Sequence, residues 1–472
     1  MNDELKAAFV AAAGGAGFAP GDEDASAYLT DWRGTKTGSA ALILKPGKTA
    51  EVAAVIALAN ETATPVVTQG GNTGLVGGSV PEADGGAVLL NLSRMNAVRA
   101  VNSGSMTATV EAGVILQTLH ETAAAEGMLF PLSLGAKGSA TIGGLISTNA
   151  GGTQVLRYGT MRAQVLGLEA VMPDGSVLNQ LTPLRKDNTG YDIKQLLIGA
   201  EGTLGVVTAA SLRLVAAPDE TATALAGLSS PEAALALLGQ LQAATGGQVD
   251  SFELIPRIAV ELVTAHVPGT RDPLAAAHDW YALIELTGGG GGEGVLRPLL
   301  EAELADAIEQ SRVADAVIAE SGQQRGDLWR LRETIAEAEK VDGVAIKFDI
   351  SVPVGDMPGF IDRVGGAIER RWAGTSIFAF GHLGDGNIHF NVRSDIDVLT
   401  RAALMDLRPA ITAFVYEELR ARGGSISAEH GIGSLKADAL ARLGDPGKLA
   451  AMRAVKAALD PRGIMNPGKV LV

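Results

Sequence analysis

The densest glycine runs of this 472-residue chain, which holds 60 glycines, fall where short apolar stretches end. Pro65-Val66-Val67 reads as the start of a strand that runs into Gln69-Gly70-Gly71-Asn72-Thr73-Gly74-Leu75-Val76-Gly77-Gly78-Ser79. A second tract covers residues 134–144 and continues through 148–152, and a third, residues 199–205, leads into Val206-Val207-Thr208. Glycine lets a backbone come close to a phosphate so that consecutive amides act as donors, and it also admits positive φ. One such tract is most simply a turn. Three dense tracts in one domain point instead to a large, phosphate-bearing cofactor. The run Gly14-Gly15-Ala16-Gly17 is different, because no strand precedes it, so it fails the context of a dinucleotide-binding fingerprint.

Around these tracts the pattern mixes strands and helices. Residues 40–44 form a short apolar strand ended by Pro46-Gly47. Thr49 is then placed to cap a helix whose apolar positions Val52, Val55, Ile56 and Ala59 share one face. Residues 166–172 and 177–178 suit a hairpin around Asp174-Gly175. A first domain closes near Ala217-Pro218, and from there to about residue 450 the texture changes to Ala-rich helices with strands between. Residues 288–292, all glycine, are expected to be a surface loop without a phosphate role. The end, residues 460–470, is too rich in turn residues for a helix and is expected to pack back on the first domain. The expected division is a helical lead-in over 1–36, a cofactor domain over 37–217, a second domain over 218–450, and a returning segment over 451–472.

Bulk properties exclude several classes. A chain of this length suggests two or three domains, and 47% hydrophobic with 19% charged residues is globular. A net charge of −15 argues against nucleic acid as partner. With no cysteine, disulfides, thiolate metal sites and cysteine nucleophiles are excluded. The acidic start shows no secretory signal and no apolar run is long enough to span a bilayer, so a cytoplasmic protein is expected.

Three of the six histidines lie in two glycine-bounded segments, residues 381–391 and 427–433. The first reads Gly-His-Leu-Gly-Asp-Gly-Asn-Ile-His-Phe-Asn and the second Ser-Ala-Glu-His-Gly-Ile-Gly. On a strand after Asn387, His389 and Asn391 point together and Phe390 points away. A lone histidine in a turn is more often a hydrogen-bonded surface or core residue. His382, His389 and Glu429 together make a divalent-metal site with open positions. His430, beside Glu429, is then free to act as a base.

The motifs GGNTGLVGGSVP, LGAKGSATIGGLISTNAGG, RKDNTGYDIK, GAEGTLGVVT, GHLGDGNIHFNV, SAEHGIG and NPGK, in this order from about residue 37 onward, resemble those of the FAD-linked D-2-hydroxyacid dehydrogenases. These are flavoproteins of the p-cresol methylhydroxylase/vanillyl-alcohol oxidase type, and the resemblance is closest to the D-2-hydroxyglutarate dehydrogenases. It implies an α+β fold, with an FAD-binding domain of two subdomains and a cap domain built on an antiparallel sheet. Carried over residue by residue, Gly70, Gly71, Asn72, Thr73 and Gly74 hold the pyrophosphate. Gly135, Ser139, Gly143, Gly144, Asn149, Glu201 and Val206 line the rest of the FAD, and Asn466 returns beside the ring. Asn72 stands where some relatives carry a tethering histidine, so a non-covalent flavin is implied. The resemblance also assigns His382, His389 and Glu429 to the metal, with zinc the expected ion, His430 to the base, and Arg332, Lys347 and Asn391 to the substrate.

The reading is an enzyme that oxidises a D-2-hydroxy acid, D-2-hydroxyglutarate first, to the 2-oxo acid, with hydride passing to flavin N5 and His430 taking the hydroxyl proton. Ala336 stands four residues after Arg332, where hydroxyglutarate members are expected to carry a hydroxyl, which keeps D-malate, D-lactate and glycolate open. The electron acceptor is unidentified, and a homodimer is compatible with the sequence. A non-haem iron oxygenase or metal hydrolase would use the same histidines but leaves the glycine tracts without a role. A non-catalytic FAD or nucleotide sensor is the third class.

Overall fold

The computed structural model describes every residue except Asp22, residues 289–293 and Ile396. The glycine run 288–292 therefore lies outside the described residues apart from Gly288, which ends a strand. The chain forms two compact units: residues 1–152, 158–217 and 429–472 make one, residues 153–157 and 218–428 the other.

The first unit holds two main sheets. In one, Leu42–Leu44 and Val66–Gln69 both run parallel to Val88–Asn91 between them, and Gly17–Phe18 adds an antiparallel edge. The helix Thr49–Thr62 connects the first two strands and buries Val52, Val55, Ile56 and Ala59 completely. Burying Val52, Val55 and Ile56 contributes about 1.5–3 kcal/mol each, so packing rather than intrinsic propensity holds this helix. Thr49 does not cap it. Lys48 occupies the cap position without a side-chain bond, Glu51 reaches back to the Gly47 amide at 2.7 Å, and the Thr49 hydroxyl donates to the Glu169 carboxylate at 2.7 Å. With Lys48 at the cap, Thr49 is already the first helical residue, and its hydroxyl bonds outside the helix.

The second sheet is antiparallel, with strands in the order Val98–Asn102, Thr107–Glu111, Val206–Arg213, Val165–Val171, Val177–Gln180. Its last two strands form the hairpin expected around Asp174 and Gly175, where Asp174 accepts the Ser176 amide at 2.9 Å. Residues 460–470 contain no helix and lie along the edge of the first sheet, where Asn466 N–H donates to the Val66 carbonyl and Val66 N–H to the Ile464 carbonyl, both at 2.8 Å.

The second unit is built on one seven-stranded antiparallel sheet. Its strands are β1 (Glu220–Leu228), β2 (Val249–Pro256), β3 (Trp280–Gly288), β4 (Val313–Ile318), β5 (Ala345–Ser351), β6 (Thr375–His382) and β7 (Asn387–Ser394), arranged β4-β1-β3-β2-β6-β7-β5. Leu225, Leu283, Phe378 and Phe380 pack on one face against Leu328, Leu331, Ile335 and Ala338 of the helices Gly322–Glu333 and Ile335–Asp342. Phe390 and Phe348 lie on the other face against Phe360 and Tyr416. The fold is α+β throughout.

Candidate active site and cofactor cradle

In the first unit the glycine tracts meet one another. A Cβ on Gly71 would lie 1.9 Å from the Ser139 carbonyl oxygen, and one on Gly70 would lie 2.1 Å from Thr141 Oγ1. Close backbone approach therefore requires both glycines. Gly143 likewise packs on Ala112, whereas a Cβ on Gly74 or Gly135 would meet nothing within 4 Å. Ser139 and Gly144 stand around the same point, Gly144 beside Thr141. Asn72 adopts φ 52° and donates from Nδ2 to the Ala27 and Thr30 carbonyls at 2.9 and 2.8 Å, while its Oδ1 accepts from Ser79 at 2.8 Å. Thr73 follows it, half-buried.

Asn466 joins two tracts, because its Nδ2 donates to the carbonyls of Gly78 at 2.9 Å and Glu201 at 2.7 Å. Asn149 ends the helix Ile142–Thr148 and accepts the Arg162 amide at 2.9 Å. Val206 is buried at the start of its strand. The Glu201 carboxylate accepts the amides of Ile432 at 2.7 Å and Gly433 at 2.8 Å, and burial pushes its pKa up against the pull of those amides. Two buried oxygens here, Thr141 Oγ1 and Asn466 Oδ1, make no hydrogen bond among the described residues. Buried polar atoms need partners, so a cradle of this kind fits a polar ligand such as FAD.

In the second unit, His382 ends β6 and His389 lies on β7, with ring centroids 5.8 Å apart. The turn between them needs glycine: Gly386 sits at φ 79°, and a Cβ there would lie 2.1 Å from the Val352 carbonyl oxygen. His389 pairs across the sheet with Phe380 and Asp349, and its ring lies 4.8 Å from that of Phe380. Asn391 shares its face, as strand alternation requires.

His382 Nδ1 lies 2.6 Å from Glu253 Oε1, and Arg332 Nε donates to Glu253 Oε2 at 2.7 Å. Glu253 is fully buried on β2; burial alone would raise its pKa, but His382 and Arg332 outweigh it and hold the carboxyl at about 2. An ionised carboxylate only accepts, so the Nδ1 of His382 is a protonated nitrogen facing Glu253. Lys347 Nζ donates to Glu339 Oε2 at 2.5 Å, and Asn391 Nδ2 donates to both oxygens of the same carboxylate at 2.8 and 3.0 Å. Asn387 Nδ2 donates to Asp349 Oδ1 at 2.9 Å. Asp385, in the turn, has its pKa raised by burial against the pull of His382.

Residues 425–428 run beside β5: Ser425 and Ser351 exchange backbone bonds at 2.8 and 3.1 Å, and Ala428 N–H donates to the Asp349 carbonyl at 3.3 Å. Glu429 and His430 follow Ala428 directly in the chain and open the last segment of the first unit.

The structure thus brings His382 and His389 together, and places Arg332, Lys347 and Asn391 each on a buried carboxylate. Both of those partners, Glu253 and Glu339, lie outside the motifs of the sequence. Glu253 carried a signal: in the apolar strand Phe252-Glu253-Leu254-Ile255 a lone carboxylate has to be buried, which demands a cation or donor. Glu339 carried none, being one of several acids on a charged helix.

Residues 40–180 match the family described as FAD binding domain, and residues 217–470 match FAD linked oxidases, C-terminal domain. The chain is 40% identical to the mitochondrial D-2-hydroxyglutarate dehydrogenase of Arabidopsis thaliana, over 94% of this chain and 77% of that relative. It is 37% identical to the D-2-hydroxyglutarate dehydrogenase of Xanthomonas citri pv. viticola, over 95% of this chain and 92% of the relative. A solved structure of p-cresol methylhydroxylase with substrate bound shares the fold, with a TM-score of 0.74 at 15% identity over 99% of this chain and 96% of that one. With an FAD-binding domain of this fold, an antiparallel-sheet second unit and relatives of this identity over nearly its whole length, the chain belongs to the FAD-linked oxidase family, among the D-2-hydroxyglutarate dehydrogenases.

Proposed function

We propose that this FAD-dependent dehydrogenase oxidises D-2-hydroxyglutarate to the 2-oxo acid at a site built on His382 and His389, with Glu429 and His430. The observation that carries this reading is the row Arg332–Glu253–His382, which holds His382 by its Nδ1 with its ring 5.8 Å from that of a second histidine. Two imidazoles and a carboxylate suit a divalent ion, zinc in our reading, with open coordination positions. When bound, the flavin supplies a two-electron acceptor and the ion a Lewis acid that lowers the pKa of a hydroxyl.

The chain's own residues do the rest. His382, His389 and Glu429 would hold the ion. His430 takes the substrate hydroxyl proton on an imidazole nitrogen. Arg332 uses Nε for Glu253, and its remaining edge meets a substrate carboxylate. Lys347 and Asn391, held by Glu339, present a cation and an amide to the distal carboxylate. Ala336 is exposed on the helix Ile335–Asp342 and offers no hydrogen bond from its side chain, so D-lactate, D-malate and glycolate are the competing substrates. A relative in Schizosaccharomyces pombe, 36% identical, is described as a putative D-lactate dehydrogenase.

The same reading takes the flavin as non-covalent, the location as cytoplasmic and the assembly as a homodimer. Among the described residues no helix is long and apolar enough to cross a membrane. Anaerobic bleaching of the flavin against a panel of D-2-hydroxy acids, with and without prior chelation, tests substrate and metal together. Fast bleaching by D-2-hydroxyglutarate that chelation abolishes is the expected result. Bleaching by none of the panel would sink the reading.

A further inference from the structure

We propose that Glu253 is a positioning residue that sets which nitrogen of His382 faces the metal; this rests on the reading of His382 as a ligand. Glu253 and His382 are cross-strand partners on β2 and β6, so the backbone register delivers the carboxylate to the ring. Its two oxygens serve different partners at 2.6 and 2.7 Å, which fixes the carboxylate in orientation as well as position. Arg332, the second partner, stacks on Phe380 at 4.9 Å, and Phe380 in turn lies against the His389 ring. Both histidines are therefore braced from the same guanidinium.

The chemistry favours this role over simple packing. Glu253 stands among Phe252, Leu254 and Ile255, all buried, where a carboxylate is costly to keep unless it is paired. A carboxylate that accepts the Nδ1 proton of a ligating histidine fixes its tautomer and raises the basicity of Nε2, and loss of such a partner typically weakens metal binding about 10–100-fold. If Glu253 served only to hold the helix Gly322–Glu333 through Arg332, its replacement would lower stability and leave the metal affinity of the folded protein unchanged.

The test uses the FAD-loaded protein, demetallated and titrated with Zn²⁺ against a chromophoric chelator. Wild type should bind one ion, and E253Q should bind it about 10–100-fold more weakly, with flavin content and circular dichroism unaltered. E253D keeps the charge opposite Arg332 but shortens the arm, and should show the same loss. Equal Zn²⁺ affinity in wild type and in either variant overturns the role of Glu253 while leaving the metal site standing. A wild type that binds no Zn²⁺ removes the metal reading itself. A second measurement needs no variant: nitrogen-15 NMR of the histidines in demetallated wild type should show His382 protonated at Nδ1. Finding the proton at Nε2 overturns the proposal.

Discussion

Lys347 and Asn391 face each other across β5 and β7 and donate to the same carboxylate, that of Glu339, which is 1% exposed. The cation is thereby held in place before any substrate arrives, and part of its charge is already neutralised. Its effect on substrate choice becomes measurable. Lys347→Met should raise KM for D-2-hydroxyglutarate at least about 10-fold more than for D-lactate, if the lysine meets a distal carboxylate through a charge-assisted bond. Equal effects on both substrates would assign the lysine to Glu339 alone. Because the Lys347 side chain is 35% exposed, the stability cost of leaving Glu339 with Asn391 only is discounted to about 1–2 kcal/mol, readable in denaturant melts.

The metal ligands should behave as a unit. Replacing His382, His389 or Glu429 by Ala is expected to remove the ion and most activity, while FAD stays bound because none of the three lies in the glycine tracts. Elemental analysis beside the flavin spectrum checks both halves. Chelator treatment should reproduce the loss and a divalent ion should reverse it. Full flavin reduction by exhaustively demetallated enzyme would rule out a metal-assisted reaction.

His430→Ala should separate base from ligand. The variant is expected to keep its metal and lose rate by about 100-fold or more, the size of a general-base contribution. The acidic limb of the pH profile for the flavin half-reaction should flatten with it. An unaltered profile would mean that the proton goes elsewhere.

Flavin should be released when the protein is denatured. Asn72 stands at the position where a tethering side chain is expected, and its amide is held by Ala27, Thr30 and Ser79. After acid precipitation the yellow colour should remain in the supernatant. Colour in the pellet would mean a covalent link.

Asp250 gives a pH signature away from the metal. Burial raises its pKa, and Glu285 adds to this, against the donors Gln154 and Thr287 and the charge of Arg157. A carboxyl whose folded pKa is raised lets the unfolded chain ionise first, so wild type loses stability as pH rises from about 4 through the folded value. Asp250→Asn has no such loss. The difference in melting temperature, variant minus wild type, should grow with pH across that window and then level off. A difference that is flat with pH would show that Asp250 titrates normally.

The sequence by itself determined local structure and the type of protein. The helix Thr49–Thr62 was readable from the 3.6-residue spacing of Val52, Val55, Ile56 and Ala59, and the turn at Asp174-Gly175 from its φ requirement. The glycine tracts pointed to a phosphate-bearing cofactor, and the long ordered motifs pointed to the family, because both are properties of consecutive residues. The strand facing of His389, Asn391 and Phe390 followed from alternation alone. Tertiary structure decided what each polar group pairs with. Thr49 met Glu169, 120 positions away, instead of capping its helix, and Glu253 met His382 at a separation of 129. Arg332 found Glu253 and Lys347 found Glu339, so cations that look free in the sequence are held by buried acids. Such pairings depend on strand order and register across a seven-stranded sheet. A buried charge takes whatever partner that register delivers, and no local pattern specifies it.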